Sequence, residues 1–108
     1  MGINREDSDI IKMADSINIR DRYSTLCGVI LGLNEQRIKT NSKGEEYFAI
    51  LPKEFKKYCR MLKHPVDVFR MALKRGGYLY LERNSENTRN CKIDGKQYRC
   101  LCIYKDRF

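Results

Sequence analysis

The 108-residue chain holds one histidine, His64, and it stands directly before Pro65. A histidine base needs a nucleophile within reach and a third group to orient it. No second histidine and no Gly-x-Ser-x-Gly elbow exists to complete such a set. His64 therefore reads as a helix-capping or exposed turn residue. The aspartates and glutamates fall at helix starts and turns, which already account for them. A phosphate-binding Gly-x-x-x-x-Gly-Lys-[Ser/Thr] loop is absent. The chain reads as a binding protein rather than an enzyme, with no small-molecule substrate.

Five cysteines occur: Cys27, Cys59, Cys91, Cys100 and Cys102. Their number is odd, their neighbours are apolar, and no Cys-x-x-Cys pair is present. Cys100 and Cys102 share one face of a strand pattern, not the paired spacing of a structural zinc site. They are expected to be reduced thiols buried as small hydrophobes, with no metal and no cofactor.

The remaining chemistry is charge. Residues 1–51 carry seven Lys/Arg against eight Asp/Glu, and residues 52–108 carry fifteen against six, so the net +8 lies wholly in the second half. This asymmetry points to a surface for a polyanion. The strongest candidates are Lys63, Arg70, Lys74 and Arg75 on and before a helix. Arg70 and Lys74 stand at i, i+4 on its outer face. Arg89, Lys92, Lys96 and Arg99 lie around a β-turn. Lys53, Lys56, Lys57 and Arg60 on the preceding helix are further phosphate contacts. Tyr78 and Tyr80 share a strand face and read as core rather than as base-stacking rings.

No run approaches 18 apolar residues, and Met1–Asp9 has no apolar signal-peptide segment, so the expectation is a cytoplasmic protein without a membrane span. The hydrophobic content of 42% suits one modest core.

The elements that must position these groups follow from periodicity. Residues 4–18 read as a helix, with Asn4 or Ser8 as cap, Glu6, Asp7 and Asp9 in the first turn, and Ile10, Met13/Ala14 and Ile17 at helical spacing. Asp21–Ser24 reads as a connection. Thr25–Leu33 reads as apolar and β-prone, interrupted by Gly28 and Gly32. Gln36–Thr40 and Glu45–Leu51 form a hairpin across Asn41-Ser42-Lys43-Gly44. Pro52 opens a helix whose stripe is Phe55, Tyr58/Cys59 and Leu62. His64-Pro65 ends it. The next helix buries Val66, Phe69, Ala72 and Leu73 and stops at Gly76-Gly77. Tyr78–Glu82 alternates as a strand, and Arg83–Thr88 is a polar loop. Arg89–Ile93 and Lys96–Lys105 form a second hairpin across Asp94-Gly95, the pair favoured in a type I′ turn.

Two helices joined at a proline turn and followed by a hairpin are the parts of a winged helix. The fold class expected is α+β and winged-helix-like, as a single domain over 1–108. Residues 1–24 are its N-terminal helix and connection, and 25–108 its core.

The stretch from Gly28 to Tyr104 also resembles the C-terminal domain of the DUF927 family of phage- and genomic-island-type helicases. The resemblance lies in Tyr47-Phe48-Ala49-Ile50-Leu51-Pro52-Lys53-Glu54-Phe55, in Val66–Leu79 with Leu73, Gly76 and Gly77, and in Cys91-Lys92-Ile93-Asp94-Gly95 leading to Ile103-Tyr104. It implies an accessory DNA-interacting domain of a mobile-element replication protein. The chain would then be a detached C-terminal domain or a stand-alone relative, with a helicase or primase as parent or partner. The alternative expectation is a protein–protein adaptor that docks to such a partner, or to itself, through its near-neutral first half.

Overall fold

The computed structural model describes residues 5–34, 37–81, 88–105 and 107, and the side chains of all these except 5–8, 33 and 34. The expected cap Asn4, Gln36 and nearly all of the polar loop Arg83–Thr88 lie outside the described residues, as do the side chains of Glu6, Asp7 and Ser8.

Helix α1 (Arg5–Asp15) is followed by α2 (Ile19–Asn34), and a hairpin of β1 (Ile38–Thr40) and β2 (Glu46–Ile50) leads into α3 (Pro52–Met61) and α4 (Val66–Arg75). The chain closes with β3 (Arg89–Ile93) and β4 (Lys96–Tyr104). The strands form one antiparallel sheet in the order β1-β2-β4-β3.

The largest departure from the sequence reading is α2. A connection over 21–24 and a β-prone stretch over 25–33 prove to be one 16-residue helix. Tyr23, Leu26, Cys27 and Ile30 are all buried, and their spacing is i, i+3, i+4, i+7. Gly28 and Gly32 lie exposed on the outer side, where an added Cβ would meet nothing. Each glycine costs about 1 kcal/mol of helix propensity. Burial of four large or apolar side chains against the sheet and helices outweighs that. The expected division at residue 24/25 therefore falls inside a continuous helix.

The two helices of the central pair end alike. His64 N–H donates to the Cys59 carbonyl (3.0 Å) with Lys63 left-handed at φ 61, and Tyr78 N–H donates to the Leu73 carbonyl (3.0 Å) with Gly77 at φ 80. These are Schellman-type closures, in which a left-handed residue lets the chain turn back on its last carbonyls. At the start of α3, Pro52 holds the first helical position and the Glu54 carboxylate accepts from Leu51 N–H at 2.9 Å.

Within the sheet, Asp94 (φ 53) and Gly95 (φ 82) form the two-residue turn that the sequence signals. Glu82 of the strand expected over Tyr78–Glu82 lies outside the described residues; among the rest the pairing is a single bridge, Leu79 to Ile103, flanked by hydrogen bonds from Tyr80 N–H to Cys102 O and from Tyr104 N–H to Tyr78 O. It continues the edge of β4 on which β3 pairs.

One sheet face, with Phe48, Ile50, Leu101 and Ile103, packs on Tyr23, Leu26, Ile30, Phe55, Tyr58, Phe69 and Leu73 from α2, α3 and α4. The other gathers Tyr47, Ala49, Cys91, Ile93, Cys100 and Cys102 with Tyr80 and Tyr104 against them. α1 lies apart on α4, where Ala14 meets Val68 and Ala72. α4 buries Val68 rather than Val66, because α1 covers that extra flank.

Tyr23 ties α2 to the end of the sheet. Its ring stacks on Tyr78 (centroids 4.0 Å, 19° between planes), its hydroxyl donates to the Tyr104 carbonyl, and it accepts from Arg107 N–H at 2.9 Å. Tyr23→Phe keeps the ring but orphans two backbone groups. It should lower stability by about 1–2 kcal/mol in urea denaturation; an unchanged midpoint would remove this tie from the account of the fold.

Candidate nucleic-acid interface

The geometry of β4 decides where the hairpin cations go. Its first four residues are exposed and the next four are buried, so on the helix side the end of the β3–β4 hairpin lies beyond the cover of the helices. Side chains alternate along each strand. Asn90 pairs with Arg99 and Lys92 with Gln97, so these four share the face that continues into Leu101 and Ile103, the helix side. Arg89, Cys91 and Ile93 share the opposite face with Cys100, Tyr98 and Lys96. The sequence grouped Arg89, Lys92, Lys96 and Arg99 together; the pleat divides them.

On the helix side, Arg99 precedes Leu101 by two residues, and Leu101 forms part of a cleft with Pro52, Phe55 and Val66. Lys56 and Arg70 also line it, with Thr88 at the hairpin's base. Lys56, Arg70, Arg99 and Lys92 thus follow one another from the α3–α4 corner along the inner face of the hairpin. Among the described residues, Lys56, Lys92 and Arg99 have no ion pair, and Arg70 has only Asp67, one turn earlier on its own helix (3.0 Å). That pair is largely exposed and contributes well under about 1 kcal/mol, so an incoming anion displaces it readily.

The other expected residues stand elsewhere. Lys74 is half-buried, one turn beyond Arg70 and away from the cleft. Lys63 is exposed in the left-handed turn between α3 and α4. Arg75 grips Asp15 of α1 through two hydrogen bonds of 2.7 and 3.2 Å. The pair sits on the flank of α4 that α1 covers, away from the cleft. Arg89 lies over the Tyr80 ring at 3.9 Å, and its Nε is buried without a hydrogen-bond partner among the described residues. It is part of the packing of the far sheet face. Lys96 is exposed on that same far face at the turn. Tyr80 packs against Tyr47 and Tyr104 there, while Tyr78 stacks on Tyr23, so both rings serve the core. The sequence ranked Lys56 below the α4 cations. Its position beside Phe55, which points at the cleft, was the available signal.

All five cysteines are free and buried. Cys91 and Cys102 sulfurs lie 3.4 Å apart. Burial pushes the Cys59 thiol up to about 12 and Cys100 to about 11, with Cys91 adding to the latter. Cys102 rises further, first through burial and then through Cys91. A thiol held protonated in this way is a weak nucleophile. The described residues hold no group of three or more His, Cys, Asp or Glu placed to bind a metal ion. Among them, no helix is long and apolar enough to cross a membrane.

His64 is half-buried rather than exposed. Its ring meets Phe69 edge-on at 5.2 Å, and its Nε2 is buried without a partner among the described residues. Its backbone, not its side chain, closes α3. Compared with family models, with curated proteins and with solved structures, the chain gives no match.

Burial, then Arg22, lowers the His64 pKa from its ordinary 6.5. The neutral ring is favoured in the fold, so below pH 6.5 the unfolded chain binds more protons. The contribution of His64 is complete above that pH and declines as pH falls through and below it. Urea midpoints at pH 7.5 and 5.5 should drop further for the wild type than for His64→Gln. Equal drops would show that the ring titrates alike in both states.

Proposed function

We propose that this chain is a non-catalytic, winged-helix-like nucleic-acid-binding domain that grips phosphates through the α3–α4 corner and the inner face of the β3–β4 hairpin. The winged-helix reading rests on connectivity: α2, β2, α3, α4, β3 and β4 follow in order, and β4 lies between β2 and β3. In such an arrangement the hairpin is the wing and α4 the second helix of the pair.

The observation that carries the function is the continuity of Lys56, Arg70, Arg99 and Lys92 from one wall of the cleft to the hairpin. Two separate stretches of sequence converge to make it, and only Arg70 has an acidic neighbour in an ion pair among the described residues. Backbone capture by spaced cations needs no reactive group, which suits a domain whose thiols are buried. The adaptor alternative relied on the apolar stripe of α1. Ala14 and Ile17 of that stripe pack onto Val68, Ala72 and their neighbours, while Met13 is exposed and Ile10 is partly exposed. The likeness to DUF927-type domains extends the proposal to an accessory role in mobile-element DNA replication.

Four phosphate contacts set the salt dependence. Log affinity for duplex should fall against log salt with a slope of about −3.6, or about −2.8 for a single strand. Labelled oligonucleotides titrated between 50 and 200 mM salt, as round working values, would measure it. Lys92→Ala and Arg99→Ala should each flatten the slope by about one, whereas Lys43→Ala in the β1–β2 turn should not. Absence of binding at low salt, or a slope indifferent to both hairpin substitutions, would discard the proposal.

A further inference from the structure

The cleft beneath those cations is not itself a phosphate site. Its walls are Pro52, Phe55, Val66 and Leu101, an apolar slot of about 240 Å³ with Lys56 and Arg70 beside it. This is smaller than the roughly 300–1,000 Å³ typical of small-ligand pockets. A slot this size suits one planar group rather than a whole cofactor. An apolar group that fills it would bring any attached anion within reach of Lys56 and Arg70.

We infer that the slot receives a single unpaired nucleobase, with the adjoining phosphate held by Lys56 and Arg70, and that the domain therefore prefers single strands to duplex. The inference rests on the nucleic-acid reading above and sharpens it. Phe55 and Leu101 are nearly buried and form the floor of the slot, while the more exposed Pro52 and Val66 offer a dry surface to any base. The Thr88 hydroxyl stands at the same cleft and can bond an exposed base edge. Arg99 and Lys92 lie farther along the same sheet face, where neighbouring phosphates of a continuing strand would run. An acidic peptide with an aromatic side chain would satisfy the slot, but it gives no reason for this onward line of cations. A duplex keeps its bases stacked and must flip one out, at a cost of a few kcal/mol, before the slot can act.

Three probes separate the parts of this inference: an oligothymidine strand, a strand of the same length made of abasic sites, and a blunt duplex. The wild type should bind oligothymidine about ten-fold more tightly than the abasic strand. Val66→Trp, which fills the slot and leaves every cation in place, should bring oligothymidine down to the abasic level. It should leave abasic and duplex binding unchanged. Equal wild-type affinity for the thymidine and abasic strands overturns the base slot while the phosphate track stands, and that comparison needs no variant to fold. A uniform loss across all three probes in Val66→Trp also overturns it. So does an acidic aromatic peptide that binds the wild type, is lost in Val66→Trp and does not compete with oligothymidine. If no strand binds at low salt, the underlying proposal fails as well.

Discussion

The arrangement depends on one change along β4. The side chains of β4 are exposed from Lys96 to Arg99 and buried from Cys100 to Ile103. The buried half is central: β2 pairs on one edge, the segment around Leu79 on the other, and apolar side chains cover both faces. A strand enclosed on four sides cannot slip by one residue without turning Cys102 toward the helices and Ile103 toward the tyrosines. The register is thereby fixed, and the outer half of β4 carries exposed side chains while Cys91 and Ile93 of its partner β3 stay buried on the far face. Arg99 is the last exposed residue before the boundary, and Leu101, next on its face, is already in the cleft wall. The meeting of charge and apolar slot follows from that adjacency.

Elements announced by local chemistry were legible in the sequence. Asp94-Gly95 gave the second hairpin within a residue, because positive φ at both turn positions suits few other pairs. Pro52, His64-Pro65 and Gly76-Gly77 bounded α3 and α4, since each removes a donor or changes the accessible backbone region. α2 was not legible, because its signals conflict. β-branched Val29 and Ile30, two glycines and an acidic-polar start all speak against a helix. The stripe Tyr23, Leu26, Cys27, Ile30 decides only once there is a sheet and a helix pair to bury it against. The strand at Tyr78 failed in the opposite direction, since its alternation is real but only Leu79 and its neighbours find partners on β4.

The candidate site was legible as a charge asymmetry and illegible as a surface. Periodicity says which side of a helix a residue occupies, but not which element covers that side. Arg75 lies on the flank of α4 that α1 takes, so Asp15 claims it. In the hairpin, the odd or even position along the strand decides. Lys92 and Arg99 fall with the helix-side residues, and Arg89 and Lys96 with the tyrosine side. That split can be read from the sequence only when the pairing register is known. Lys56 gained weight for the complementary reason, since a helix residue next to buried Phe55 borders whatever Phe55 lines.

Ion pairing explains why the surplus charge acts locally. Three cations of the basic second half are matched by acids of the first: Arg75 by Asp15, Lys105 by Glu46, and Arg107 by Glu45. Each match occurs where the two halves of the sequence touch, at the α1–α4 flank and the closed end of the sheet. The α3–α4 corner and the hairpin lie away from those contacts, and Asp67 is the acid paired there among the described residues. Within about 10 Å at ordinary salt, a polyanion senses neighbouring charges rather than the net charge of the whole protein. A chain of net +8 with three of its basic residues matched at the joined end thus keeps unmatched cations at the other, where Asp67 and Asp94 are the nearby acids. At the hairpin, Lys92, Lys96 and Arg99 outnumber Asp94, so the end away from the joined halves keeps a positive excess.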